Sequence, residues 1–117
     1  MCGIAGFFNP KKDYRSEENK WKHILGEMNQ LQKRRGPDSE GLYLHSSCGL
    51  SHVRLEIIDL VTGQQPMVRK QDQRECAIVF NGEIYNMSAL KKELLSQGAV
   101  FQTTSDTEVI LTGYMYH

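Results

Sequence analysis

Apolar residues in this 117-residue chain gather in runs of strand length, each cut by a turn signal, and that pattern limits what it can fold into. The first run, Cys2–Phe8 (CGIAGFF), stops at Asn9-Pro10. Residues 41–46 (GLYLHS) and 49–60 (GLSHVRLEIIDL) follow as two strands with rough alternation of Leu, Ile, Val and Tyr. The turn VTGQQP leads to ECAIVF, a buried strand that ends at Phe80 and is stopped by NGEIYN. VFQTT returns as a later strand. None of these runs approaches the roughly 20 apolar residues of a membrane-spanning helix. The first also lacks the positive flank and the length of a secretory leader.

Between the strands lie helical stripes. Ser16 before Glu17 and Glu18 predicts a helix start, and Trp21, Ile24, Leu25, Met28 and Leu31 recur at helical spacing. Lys33, Arg34 and Arg35 close that helix, and RGPDSEG (35–41) cannot continue it. Asn86 is placed to cap a second helix with a Leu90, Leu94, Leu95 stripe, and Gly98 fits its C′ position. Ser105 and Glu108 form an S-x-x-E capping-box pattern opening a third helix through Val109, Ile110 and Tyr114, which runs to the last residue. Strands and helices mix without strict βαβ alternation, so the expected class is α+β with layered sheets.

Fourteen basic and fourteen acidic residues balance to zero net charge, which argues against a nucleic-acid face or a polybasic membrane anchor. Three widely spaced cysteines (Cys2, Cys48, Cys76) make no disulfide framework and point to a reducing, cytoplasmic setting. His23, His45, His52 and His117 form no ligand-spaced group, so no metal site is expected.

The chemistry concentrates in a few stretches. If Met1 is trimmed, Cys2 owns both a thiol and a free α-amine. A thiol ordinarily has a pKa near about 8.5 and an α-amine near about 7.7–8.0, so the amine is a suitable general base for the sulfur. A buried cysteine filling space is the plainer alternative. Asn81 and Gly82, delivered by a strand, can aim a side-chain amide and a backbone N–H into one small volume, as an oxyanion hole requires; Asn-Gly is equally a hairpin turn. Arg54 interrupts a half-apolar strand with a fork that suits a carboxylate, or else points outward. Asp106 complements the dipole of the third helix, or holds an ammonium; Arg54 and Asp106 can then bracket an amino-acid zwitterion, with Glu83 at the ammonium end.

Six stretches in order (MCGIAGF, RRGPDSEG, HVRLEIIDL, QQPM, NGEIYN and TSDTEVIL) give the chain a resemblance to the class II glutamine amidotransferases, spanning residues 2 to about 111. Arg35-Gly36-Pro37-Asp38 makes it similar to the glutaminase domain of the glutamine-hydrolysing asparagine synthetases rather than to the sugar-phosphate and phosphoribosyl branches. The resemblance implies an N-terminal nucleophile hydrolase fold, an αββα sandwich of two mainly antiparallel sheets between helical layers. It implies that residues 1–117 are the N-terminal part of a glutaminase domain. The synthetase domain of the same polypeptide, with its ATP and Mg, would lie outside this chain, which has no GG pair to build a pyrophosphate loop.

By the same resemblance Cys2 attacks glutamine, with Asn81 and Gly82 stabilising the oxyanion. Arg54, Leu55, Glu56, Ile57 and Ile58 hold substrate together with Asn81, Gly82, Glu83 and Asp106, while Arg35 and Asp38 are structural. No cofactor is expected in this domain, and a homodimer is one expected assembly. The competing expectations are a different ammonia-donating transferase and a non-catalytic module that binds amino acids or a partner.

Overall fold

A computed structural model describes residues 2–55 and 63–116. The order is β1 (Gly3–Phe8), α1 (Glu18–Leu31), β2 (Ser39–Leu44), β3 (Cys48–Arg54), β4 (Met67–Gln71), β5 (Arg74–Ile78), α2 (Met87–Ser96) and α3 (Asp106–Met115). Short 3-10 turns at Tyr14–Glu17 and Lys33–Arg35 flank α1. The strands make two antiparallel sheets, β1-β3-β2 and β4-β5. The α+β class is therefore as expected. Among the described residues no helix is long and apolar enough to cross a membrane.

α1 packs on the three-stranded sheet and α3 on the two-stranded one. Register decides which residues meet α1. Residues paired across a ladder share a face, so Gly3, Phe7, Gly49, Ser51 and Val53 project one way. On that face the Phe7 ring lies tilted against Tyr14 and Trp21, with ring centres 4.6 Å and 5.2 Å away. Its partner Gly49 has to be glycine, because a Cβ there would lie 2.5 Å from the Phe7 ring. Leu25 of α1 and Val53 of β3 are fully buried beneath it; each contributes about 1.5–3 kcal/mol. A second core joins α2 to α3 through Leu94, Ala99 and Val109, with Leu90 and Phe101 packed against it.

Several boundaries differ from expectation for identifiable reasons. Asp13, not Ser16, caps the first turn, its carboxylate accepting from the Arg15 N–H. α1 stops at Leu31, and that leucine is 90% exposed instead of completing the stripe. The two middle strands end earlier than expected, at Leu44 and Arg54, and the part of the second that covers residues 56–60 lies outside the described residues. β4 was not expected; it pairs with β5 in a hairpin whose tight turn puts Asp72 at φ 58°. β5 ends at Ile78, so Val79 and Phe80 lie beyond the ladder. Asn86 stands at the start of α2 without a side-chain capping bond, and Leu95 is 51% exposed. Gly98 does take the left-handed conformation, φ 95°, after α2. VFQTT is not a strand, and α3 ends at Met115.

Candidate active site

β3 carries the first wall. The face opposite α1 presents His52 and Arg54, and continuing the β1 register by one residue sets Cys2 opposite Arg54. On its other side Arg54 pairs with Ser39. The RGPD segment closes over this end of the sheet. Arg35 Nε donates to the Cys2 carbonyl at 3.3 Å, and the Asp38 N–H donates to the Arg54 carbonyl at 3.1 Å. A Cβ on Gly36 would lie 2.5 Å from the Arg54 nitrogen, so only glycine lets the segment come this close. The Arg35 side chain and the Asp38 backbone thus tie this segment to the two strand ends.

The second wall is the start of α3. Ser105 caps it, accepting from the Thr107 N–H at 3.2 Å. The expected capping box is not closed: Glu108 turns back to the preceding loop, taking the N–H groups of Gln102 (2.9 Å) and Thr103 (2.7 Å) and the Thr103 hydroxyl. Arg69 of β4 adds an ion pair at 3.3 Å. Burial alone pushes the Glu108 carboxyl up, but these donors together hold it below the usual carboxylate range. The result is a fixed loop presenting half-buried Asp106 at the helix start.

These two walls meet at Gly63. An atom placed at its Cβ position would lie 3.4 Å from Arg54 Nη2 and 3.3 Å from Ser105 Oγ. Gly63 has φ 77°, a conformation glycine takes without cost. Arg54 therefore reaches across toward the helix that begins at Asp106, and does not point outward.

The third wall is the Phe80–Glu83 corner. Asn81 and Gly82 are exposed and lead from β5 toward α2 instead of turning into a paired strand, so the hairpin alternative does not hold. The Phe80 ring folds back against Gly82, 3.0 Å from where a Cβ would stand. Phe80 itself is gripped through its backbone. Its N–H donates to Gln65 Oε1 at 2.5 Å. Burial lowers the His52 pKa from the usual imidazole range, and the neighbouring Arg54 charge lowers it further.

Leu55 follows β3 and is 38% exposed. Glu56, Ile57 and Ile58 lie outside the described residues. Glu83 is exposed beside the corner. A separate cleft of about 610 Å³ opens between the sheets around Phe8, Tyr43, Cys48, Cys76 and Ile110, and none of the expected site residues lines it. Burial pushes the Cys48 thiol up there, which makes it a poor thiolate source. Sequence reasoning missed His52, Gln65 and Thr107. The only sign of Gln65 was its place in the QQPM stretch.

The glutamine amidotransferase domain family matches residues 1–117. The chain is 39% identical over 117 residues to asparagine synthetase [glutamine-hydrolyzing] 1 of Bacillus subtilis (strain 168), covering 100% of this chain and 18% of that protein. It is 41% identical over 114 residues to asparagine synthetase B [glutamine-hydrolyzing] of Escherichia coli (strain K12), covering 97% and 19%. It is 38% identical over 117 residues to asparagine synthetase [glutamine-hydrolyzing] of Sandersonia aurantiaca, covering 100% and 21%. The chain thus spans about a fifth of the length of these curated relatives. With the family matched from the first residue to the last, this chain belongs to the glutamine amidotransferase domain family.

Proposed function

We propose that the domain hydrolyses glutamine to glutamate and ammonia through a thioester on Cys2. With Met1 removed, the Cys2 thiol proton passes to the residue's own α-amine and the sulfur attacks the carboxamide carbon. The carbonyl electron pair moves to oxygen, where the Asn81 side-chain amide and the Gly82 N–H receive it. The C–N bond then breaks, the nitrogen takes the proton from the amine, and ammonia leaves. Water attacks the thioester, giving a proton to the α-amine; the C–S bond breaks, and that proton passes to sulfur as glutamate departs. Arg54 pairs with the substrate carboxylate, while Asp106 and Glu83 hold its ammonium. The segment from Arg54 through Leu55, Glu56, Ile57 and Ile58 lines the carboxylate end.

The observation that supports this reading is that Arg54 and Ser105, the residue before Asp106, both lie against Gly63, which suits a cation and a carboxylate serving one amino-acid ligand. The relatives' names, glutamine-hydrolysing asparagine synthetases, support asparagine synthesis as the use of the ammonia, and in this reading aspartate is the acceptor and ATP drives the step. ATP and Mg would bind in a synthetase domain of the same polypeptide, in a cytoplasmic enzyme that assembles as a homodimer.

The test is release of glutamate and ammonia, in equal amounts, from glutamine by the full-length protein. Wild type is expected to turn over and Cys2→Ala to release neither. Undiminished release by Cys2→Ala would overturn the reading.

A further inference from the structure

Asn81 and Gly82 stand beyond the end of β5, exposed and outside the sheet ladder, yet oxyanion donors work only when their positions are fixed. The residue before them supplies the fixing point. The Phe80 N–H can only donate, so the Gln65 atom facing it at 2.5 Å is the carbonyl oxygen. The planar amide then aims its NH2 the other way, where Nε2 donates to Thr107 Oγ1 at 3.2 Å. Thr107 is 2% exposed and follows Asp106 directly. One glutamine side chain therefore links the residue preceding Asn81 to the residue following Asp106, across separations of 15 and 42 residues.

We propose that Gln65 is a positioning residue for glutamine hydrolysis: its two-ended amide fixes the Asn81–Gly82 corner relative to the helix that presents Asp106. The proposal rests on the reading of the site given above. Gln65 touches neither the nucleophile nor the substrate in this scheme. Its loss lets the oxyanion donors drift while leaving the carboxylate and ammonium partners in place. A displacement of about 1 Å at such a site costs on the order of 10²-fold in rate.

The experiment compares wild type, Gln65→Leu, Gln65→Glu, Thr107→Val and the Gln65→Leu/Thr107→Val double variant in the full-length protein. Steady-state glutamine hydrolysis and amide hydrogen exchange at Phe80 are the two readouts. Gln65→Leu is expected to lower kcat by about 10- to 100-fold with a much smaller change in KM. Thr107→Val is expected to fall between, and the double variant to be no worse than Gln65→Leu, because the two groups act as one link. Gln65→Glu, which keeps an acceptor for the Phe80 N–H, is expected to recover part of the loss. Exchange at Phe80 is expected to accelerate in Gln65→Leu while the β1–β3 ladder stays protected.

An unchanged kcat in Gln65→Leu, or fully additive losses in the double variant, would overturn the proposal. If Gln65→Leu fails to fold, Thr107→Val decides on the same two readouts. A wild type that does not hydrolyse glutamine would sink the functional reading; faster exchange at Phe80 would then still establish the link, and unchanged exchange would remove it.

Discussion

Arg54 takes its direction from the strand beneath it. Strand alternation puts it on the face away from α1, with His52, and Gly63 leaves the space through which its guanidinium reaches toward Ser105. A lysine would keep the charge but lose the fork that a carboxylate fits. Asn81 depends on geometry in a different way. An oxyanion donor strengthens as charge develops, so its removal falls on the chemical step more than on binding. Asn81→Ala is therefore expected to lower kcat for glutamine hydrolysis by about 10²–10³ with a much smaller change in KM. Steady-state kinetics check this, and an equal loss in apparent glutamine affinity would assign Asn81 to holding substrate instead.

At the scale of elements, α3 is the part whose start matters most, and Glu108 holds it there. Its carboxylate is 1% exposed and takes two backbone N–H groups, a hydroxyl and the Arg69 guanidinium. Glutamine at this position keeps one acceptor but turns an NH2 toward groups that also donate, at about 1–3 kcal/mol. Because the native carboxyl sits below its unfolded value, the stability it gives is complete above the usual carboxylate range and is lost as pH falls through the lower native value. Glu108→Gln is thus expected to melt lower than wild type at pH 7, with the gap closing in acid. Thermal unfolding across pH checks this, and a gap constant with pH would contradict it.

The same element marks where the sequence was readable and where it was not. The Ser105 cap and the start of α3 followed from local pattern, as did β1 and the α1 stripe as far as Met28. VFQTT looked like a strand by composition, but the backbone N–H groups of Gln102 and Thr103 go to Glu108, and no strand pairs with it among the described residues. β4 was hidden because MVRKQ has little apolar content; its place comes from pairing with β5.

Across the whole molecule, three segments far apart in sequence form the candidate site: the Cys2–Arg54 strand ends, the Phe80–Glu83 corner and the start of α3. The residue types of that site were legible, since Cys2, Arg54, Asn81 and Asp106 each bring a chemistry that few other residues supply. The links between the segments were not, because the Gln65 bonds to Phe80 and Thr107 and the Arg35 bond to the Cys2 carbonyl join positions that no local period relates. The central claim is that the sulfur and α-amine of one N-terminal residue do the chemistry. Its most direct test is mass spectrometry of the full-length enzyme, acid-quenched while turning over glutamine and then digested. The account predicts a glutamyl adduct on the N-terminal peptide, with that peptide beginning at Cys2. An adduct on the peptide of Cys48 or Cys76, or turnover by protein that retains Met1, would contradict it.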